Sequence, residues 1–304
     1  MITTFRYTPA WLVAGFMVLA GCGEESPRQA IAREPDAPSM TVTPESASTP
    51  SVPGAPVGPV SFASAESSYR ARRYDEAVAG FESYTSSRPT NQFGFYMLGL
   101  SAWKAGDLPK AEAALRQALA LDSTHVKSYL NLGRVLLDAG QPDSALAVVE
   151  AVLRIDETVG EAYRLIGRVH GAQGEPDRAV TAYHEALVLD SSDVWSMNNL
   201  GLVLIHQGAF DDALRPLALA VERAPEVAMF QNNLGIALER TGHFTAAAGA
   251  YRAAIAIDSG FAKAQTNLDR VVTLKEDPNI GPIDLQVLAQ GFSAQIAAWV
   301  TQEQ

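Results

Sequence analysis

Apolar residues fall into four regimes along this chain. The first is a continuous run, Trp11-Leu12-Val13-Ala14-Gly15-Phe16-Met17-Val18-Leu19-Ala20, preceded by Arg6. A helix needs about 20 residues to cross a hydrocarbon core of about 30 Å, so this shorter run reads as the apolar part of an export signal. The second regime, residues 24–60, mixes Ser, Thr, Ala and Gly with Pro27, Pro35, Pro38, Pro44, Pro50, Pro53, Pro56 and Pro59. Such a stretch buries too little apolar surface to offset ordering entropy and is predicted to be an extended tether. The third regime runs from 58 to 276, where apolar positions recur in steps of three and four, the spacing of one helix face. After the breaker Asp277-Pro278-Asn279-Ile280-Gly281-Pro282, the fourth regime places Leu285, Leu288, Phe292, Ile296 and Trp299 at helical spacing with Gln and Ser between. That pattern predicts a C-terminal amphipathic helix, packed on the last repeat or docked on another copy or a partner.

The third regime matches itself at a shift of 34 residues, without insertion or deletion, as units 58–91, 92–125, 126–159, 160–193, 194–227 and 228–261. The eighth place of each unit is small: Ala65, Gly99, Gly133, Gly167, Gly201 and Gly235. The twentieth is Ala77, Ala111, Ala145, Ala179, Ala213 and Ala247. Helix axes about 8 Å apart need small residues where they meet, and the two sets are expected to face one another. The fifteenth place, Arg72, Gly106, Gly140, Gly174, Gly208 and Gly242, suits a left-handed helix end. Pro109, Pro142 and Pro176 then open second helices, where a missing N–H costs nothing. Phe81, Leu115, Val149, Tyr183, Leu217 and Tyr251 are the large residues of the seam between helices.

These residues at this period resemble the tetratricopeptide-repeat family, built from antiparallel helix pairs. The resemblance implies an all-α solenoid, a right-handed superhelix of helix pairs with six repeats and a capping helix over 262–276. Lys263, Lys275 and Glu276 suit a solvated cap. There are departures. The proline that closes the family's unit survives only as Pro89 and Pro225, and Ser123, Glu157, Ser191 and Ser259 replace it elsewhere. Pro216 falls inside a second helix and is expected to kink it or shift its start. The first unit has Ser64-Ala65 in place of a leucine–glycine pair and is expected to fray.

Leu19-Ala20-Gly21-Cys22 resembles the lipobox of bacterial lipoproteins. The resemblance implies a signal peptide over 1–21 cut before Cys22, a thioether-linked diacylglycerol on its sulfur, and an acyl chain such as palmitate on the new amine. Two or three acyl chains anchor stably where one does not, because each buried CH₂ adds about 0.8 kcal/mol. Gly23, rather than Asp, follows the cysteine; by the same resemblance the address is the outer membrane, facing the periplasm. The chain thus divides into 1–21, a lipidated tether over 22–60, a repeat domain over 61–276 and a loop with tail helix over 277–304.

Charge and composition narrow the chemistry. With 34 acidic against 23 basic residues, a net charge of -11, the chain lacks the cationic surface that binding nucleic-acid phosphates requires. One cysteine excludes an intrachain disulfide or a thiolate metal cluster. His184-Glu185 opens a metalloprotease-like pattern, but Val188 stands where the second metal-binding histidine belongs. No phosphate-cradling loop or nucleophile elbow is present. No catalytic residue, metal or cofactor is expected.

What remains is recognition. In the family, the second, fifth, ninth, twelfth and thirteenth places of each unit line the concave groove. Here these give Phe93, Tyr96, Leu100 and Trp103, then Leu130 and Arg134, Arg164 and Arg168, Trp195 and Asn198, and finally Asn232 and Arg240. Aromatics and arginines are the side chains enriched at binding hot spots. The resemblance implies a membrane-anchored interaction scaffold or assembly factor for other envelope proteins, of the kind that assists pilus-secretin assembly or scaffolds cell-wall enzymes. The alternative is a self-associating envelope lipoprotein whose tail helix fills a neighbour's groove.

Overall fold

The computed structural model describes residues 61–302, so the export signal, Cys22 and the tether lie outside the described residues. The described chain is helical throughout, with no strand. Its helices pair off as the 34-residue period requires: α1 (Phe62–Arg70) with α2 (Tyr74–Ser87), α3 (Gln92–Ala105) with α4 (Leu108–Leu121), and α5 (Val126–Asp138) with α6 (Pro142–Ile155). Next come α7 (Gly160–Gln173) with α8 (Pro176–Leu189), α9 (Val194–His206) with α10 (Phe210–Arg223), and α11 (Ala228–Arg240) with α12 (Phe244–Ile257). A single helix α13 (Ala262–Val271) and the tail helix α14 (Leu285–Gln302) complete the chain. None of them is long and apolar enough to cross a membrane.

Local chemistry sets the breaks. Asn91 Oδ1 accepts the Gly94 N–H at 2.7 Å and Asp107 Oδ1 the Lys110 N–H at 3.1 Å, satisfying donors that a helix start leaves orphaned. Every first helix from α3 to α11 is followed by a glycine of positive φ, 73° to 86°, and Arg72 takes the same conformation at 58° without the freedom of a glycine. Pro142 and Pro176 are the first residues of their helices, and Pro109 the second of its own. Pro216 departs from expectation. Helix α10 starts at Phe210, in register with its neighbours, and runs through the buried proline to Arg223. Packing of α10 against α9, α11 and α14 offsets the lost backbone bond.

The six seam residues Phe81, Leu115, Val149, Tyr183, Leu217 and Tyr251 are fully buried. Their side chains come nearest the small residues of the first helices, with the backbone of Ala111 and Ala145 also close to Gly99 and Gly133. A Cβ placed on Gly99 would lie 2.6 Å from Leu115 Cγ, and one on Gly167 2.6 Å from Tyr183 Cε1. The glycine is required by a large partner, with the alanine set of the second helix buried alongside.

Successive first helices pack directly on one another, α3 on α5, α5 on α7, α7 on α9 and α9 on α11, in addition to their own partners. The second helices are spread apart, so the first helices form the inner side of the curve and the second helices the outer side. The tail returns along that outer side. It packs on α10 and α8 of the fifth and fourth units, not on the last repeat. Ala289, Phe292 and Ile296 are buried in a cluster with Tyr183, Leu187, Ala218 and Leu219. The Trp299 ring lies 4.2 Å from that of His184. The reason is local. The twenty-fifth and twenty-sixth places of a unit are Arg116-Gln117, Glu150-Ala151, His184-Glu185 and Arg252-Ala253 elsewhere, but Ala218-Leu219 in the fifth unit. At those two places the fifth unit alone among these offers a pair of apolar side chains.

Candidate functional site

The inner face is built from side chains that reach from each first helix to the next unit. Trp103 Nε1 donates to Asp138 Oδ2 at 2.9 Å, and the half-buried indole carries the Lys104 ammonium over its ring at 4.9 Å. Asn131 Nδ2 donates to Tyr96 Oη at 3.3 Å. Arg134 pairs with Glu161, and Arg164 Nη1 sits 2.6 Å from Asp193 Oδ2 and 3.6 Å, through Nη2, from Glu161. Further along, Asn233 Nδ2 donates to Asn198 Oδ1 at 2.9 Å and Asn267 Nδ2 to Asn232 Oδ1 at 3.0 Å. Arg270 closes the series with a bidentate grip on Glu239, whose Oε2 also accepts the Tyr251 hydroxyl at 2.8 Å. Burial and that carboxylate together push the Tyr251 hydroxyl far above its ordinary range.

These contacts separate the predicted groove residues into distinct roles. Leu130 is buried with Leu165 and Ile166 and is a packing residue. Asn198 and Asn232 are buried members of the amide ladder. Arg134 and Arg168 are also buried, and the guanidinium of Arg134 is engaged by a carboxylate of the following unit. Arg240 is exposed at the end of α11 and lies over the Phe210 ring at 4.6 Å, at the rim of the face. Tyr96 is buried beneath Phe93, whose ring stacks on it at 5.6 Å, and burial raises the Tyr96 hydroxyl pKa. Trp195 meets Phe230 edge-on at 4.9 Å.

What the face presents is therefore an order of surfaces. Half-buried Phe93, Leu100 and Trp103 form an apolar stretch in the second unit, continued by Leu137. The Arg134–Glu161–Arg164–Asp193 chain follows in the third and fourth units. Half-buried Trp195, Ile205, Met229 and Ile236 form a second apolar stretch. The acceptors Asp138, Glu161, Asp193 and Glu239 are the residues that reading by groove place overlooks. A partial signal existed in the asparagines at the sixth place, Asn131, Asn199, Asn233 and Asn267, which keep the 34-residue spacing. The ladder breaks where Arg164, a donor, holds the fifth place, and there Asn199 Nδ2 is buried without an acceptor.

Among the described residues no three His, Cys, Asp or Glu side chains converge as a metal site. His184, the start of the metalloprotease-like pattern, lies on the outer side against Trp299.

No curated protein matches this sequence. Solved structures do match its fold. PilW, a widely conserved type IV pilus biogenesis factor, is 20% identical, with a TM-score of 0.60 over 67% of this chain and 94% of PilW. The Cut9 and Hcn1 hetero-tetramer of the APC/C gives 15% identity and a TM-score of 0.61 over 78% of this chain, which spans only 48% of that one. TTC0263, a thermophilic repeat protein of Thermus thermophilus, gives 16% and 0.53 over 60% of this chain and 100% of its own. At these identities the likeness is one of fold. The tetratricopeptide-repeat family profile, however, matches residues 96–159, 164–226 and 217–260, more than half of the sequence and in the register of the helix pairs. By that match, on helices that pair and turn as its period demands, the chain belongs to the tetratricopeptide-repeat family.

Proposed function

We propose that this protein is a scaffold or assembly factor that holds other proteins at a bacterial envelope membrane. Acyl chains on Cys22 anchor it, most consistently with the outer membrane facing the periplasm, and the inner face takes a segment of the partner. Tetratricopeptide proteins bind peptides or proteins, and the observation that carries the reading here is the apolar, charged, apolar order of the inner face. An extended or helical segment with apolar anchors seated against Trp103 and Trp195 suits that order. The arginines between them are held by Glu161 and Asp193, so they contribute a fixed, nearly neutral stretch rather than free cations. PilW, a type IV pilus biogenesis factor, shares the fold, and pilus assembly is one setting in which to look for the partner.

The tail helix gives the self-association reading less support, since Ala289, Phe292 and Ile296 are spent on the chain's own α10 and α8. The test is capture of envelope partners by the full chain. Trp103→Ala should weaken the main partner by about thirtyfold, the cost of a hot-spot aromatic at about 2 kcal/mol. Trp103→Phe, which keeps the ring but not the bond to Asp138, should retain most of it, and Arg116→Ala on the outer side should retain all. Equal capture by all four proteins overturns the binding reading. Cys22→Ser should release the exported protein from membranes; a serine variant that still sediments with them at high salt overturns the anchoring reading.

A further inference from the structure

We propose that the partner's segment is acidic where it crosses the joint between the fourth and fifth units. One of its side-chain carboxylates pairs there with Arg164 and Arg168, at the positive end of an amide relay. The inference rests on the inner face being a binding surface, and it names the chemistry of the occupant.

The relay runs through five asparagines. Arg270 Nη2 donates to Asn267 Oδ1 at 3.0 Å, which turns the Asn267 amide group toward Asn232, whose Oδ1 accepts it at 3.0 Å. Asn232 Nδ2 donates to Asn233 Oδ1 at 3.4 Å, Asn233 Nδ2 to Asn198 Oδ1 at 2.9 Å, and Asn198 Nδ2 to Asn199 Oδ1 at 3.3 Å. Every amide thus points the same way, from a cation at one end to Asn199 Nδ2 at the other, which is buried without an acceptor. Aligned hydrogen bonds polarise one another in a low dielectric, so this N–H end carries the positive pole of the relay.

At other joints the fifth-place residue of the preceding unit answers such a donor: Tyr96 for Asn131, Asn198 for Asn233 and Asn232 for Asn267. Here the fifth place is Arg164, a donor itself, with Arg168 one turn further along α7. Arg134, Glu161, Arg164 and Asp193 balance one another in charge, and Arg168 adds a cation to the stretch. A carboxylate is the side-chain group that answers guanidinium and amide donors together.

The distribution of charge selects the same class. Among the described residues, the seven first helices hold nine Lys and Arg against five Asp and Glu, whereas the six second helices hold seven against eleven. The inner side is therefore cationic on a protein of net charge -11. An acidic segment is drawn to it and repelled by the outer side, and a basic one is not. The carboxylate belongs to a side chain rather than a chain end. Apolar residues lie on both sides of the joint, with Trp103 in the second unit and Ile236 in the sixth, and a segment that fills both runs on past it.

The experiment selects binders of the full chain from a displayed library of random dodecapeptides and measures the best one as a synthetic peptide with an amidated C-terminus. Selected peptides should carry Asp or Glu between apolar residues. Changing that acid to its amide should weaken binding about tenfold or more, the worth of a hydrogen bond to a charged group. Arg168→Gln, and Asn199→Asp, which supplies the joint with a carboxylate of its own, should each bring the acid and amide peptides to about equal affinity. A ratio of two peptides on one protein is not moved by a variant that merely folds less well. Peptides without acidic enrichment, equal affinity of acid and amide for the native chain, a need for a free C-terminal carboxylate, or a preference that survives both substitutions each overturn the proposal. Neutral peptides that are lost with Trp103→Ala overturn it alone and leave the inner face a binding surface. A library that yields no binder overturns both.

Discussion

Asp193 joins two units and starts a helix with the same carboxylate. Its Oδ2 accepts from Arg164 Nη1 at 2.6 Å within the fourth unit, of which Asp193 is the last residue, while Oδ1 accepts the backbone N–H groups of Trp195 and Ser196 that open α9 in the fifth. Both partners of the ion pair are largely buried, 13% and 4% exposed. Removing one member of such a pair strands the other, which typically costs 3–5 kcal/mol, and Asp193→Ala is expected toward the lower end, about 3 kcal/mol, because Glu161 remains near the arginine. Asp193→Asn keeps a good cap and should cost clearly less. Urea unfolding of the three proteins checks this, and equal losses in the two variants would mean that the cap contributes nothing and the charge carries the whole effect.

Gly167 and Gly249 are both helical glycines with opposite surroundings. A Cβ at Gly167 meets the Tyr183 ring, whereas one at Gly249 meets nothing within 4 Å. Gly167→Ala should therefore destabilise by about 1–3 kcal/mol through overpacking. Gly249→Ala should stabilise by roughly 0.5–1 kcal/mol, the helix preference of alanine over glycine. In a solenoid the damage stays mainly with adjacent units, so hydrogen exchange in the Gly167 variant should rise around α7 and α8 and little in α12.

The repeat register was legible because a glycine, an alanine and a large seam residue recur at one period, and their mutual sterics leave a single alignment. Arg72 was legible as the odd member of the turn set, and it does adopt the strained left-handed conformation. The inner face was legible only by place. Which residues line it follows from the period, but whether Arg134 is free or paired depends on the step from one helix to the next, which brings Glu161 to it from the following unit. No pattern within one unit carries that information. The tail shows a related limit: its apolar stripe says that something covers it, while the seat is written elsewhere, in Ala218 and Leu219.

Stability should fall as pH drops below neutrality, and His125 is one named cause. Burial, opposed by Asp122 and aided by Lys127, holds its pKa below the ordinary 6.5. Its neutral ring stays edge-on to Tyr96 and bonds Ser128 Oγ at 2.7 Å. The unfolded chain therefore takes up the proton first, and by linkage the stability present above 6.5 is lost as pH falls through and below that value. Asp122 and Asp156, held below their ordinary 3.8 by bonds from Thr124 and Thr158, add a further loss at more acid pH. Melting temperature against pH should show a shallower fall between neutral pH and about 5 for His125→Gln than for the native chain. Parallel curves would exclude the imidazole as a source.

The tail helix should detach as a unit without unfolding the solenoid. Its contact is confined to α10 and α8, and each repeat is secured by its own seam and by its neighbours. Phe292, 3% exposed, is its central anchor, and truncating a buried phenylalanine costs about 3–5 kcal/mol. Phe292→Ala should thus accelerate amide exchange in residues 286–302 by about a hundredfold to a few thousandfold. Protection in α3 to α7 should be unchanged. Leu219→Glu reaches the same end from the other side, since a carboxylate pressed under an apolar helix has no partner there. Gln295→Ala, on the exposed side of α14, is the control and should do nothing. Once released, the tail uncovers Ala218, Leu219 and its own apolar stripe, an adhesive pair, so both variants should sediment as concentration-dependent oligomers. If exchange instead rises evenly through every repeat, the tail is an integral part of the cooperative core, and the picture of a helix docked on a self-sufficient solenoid fails.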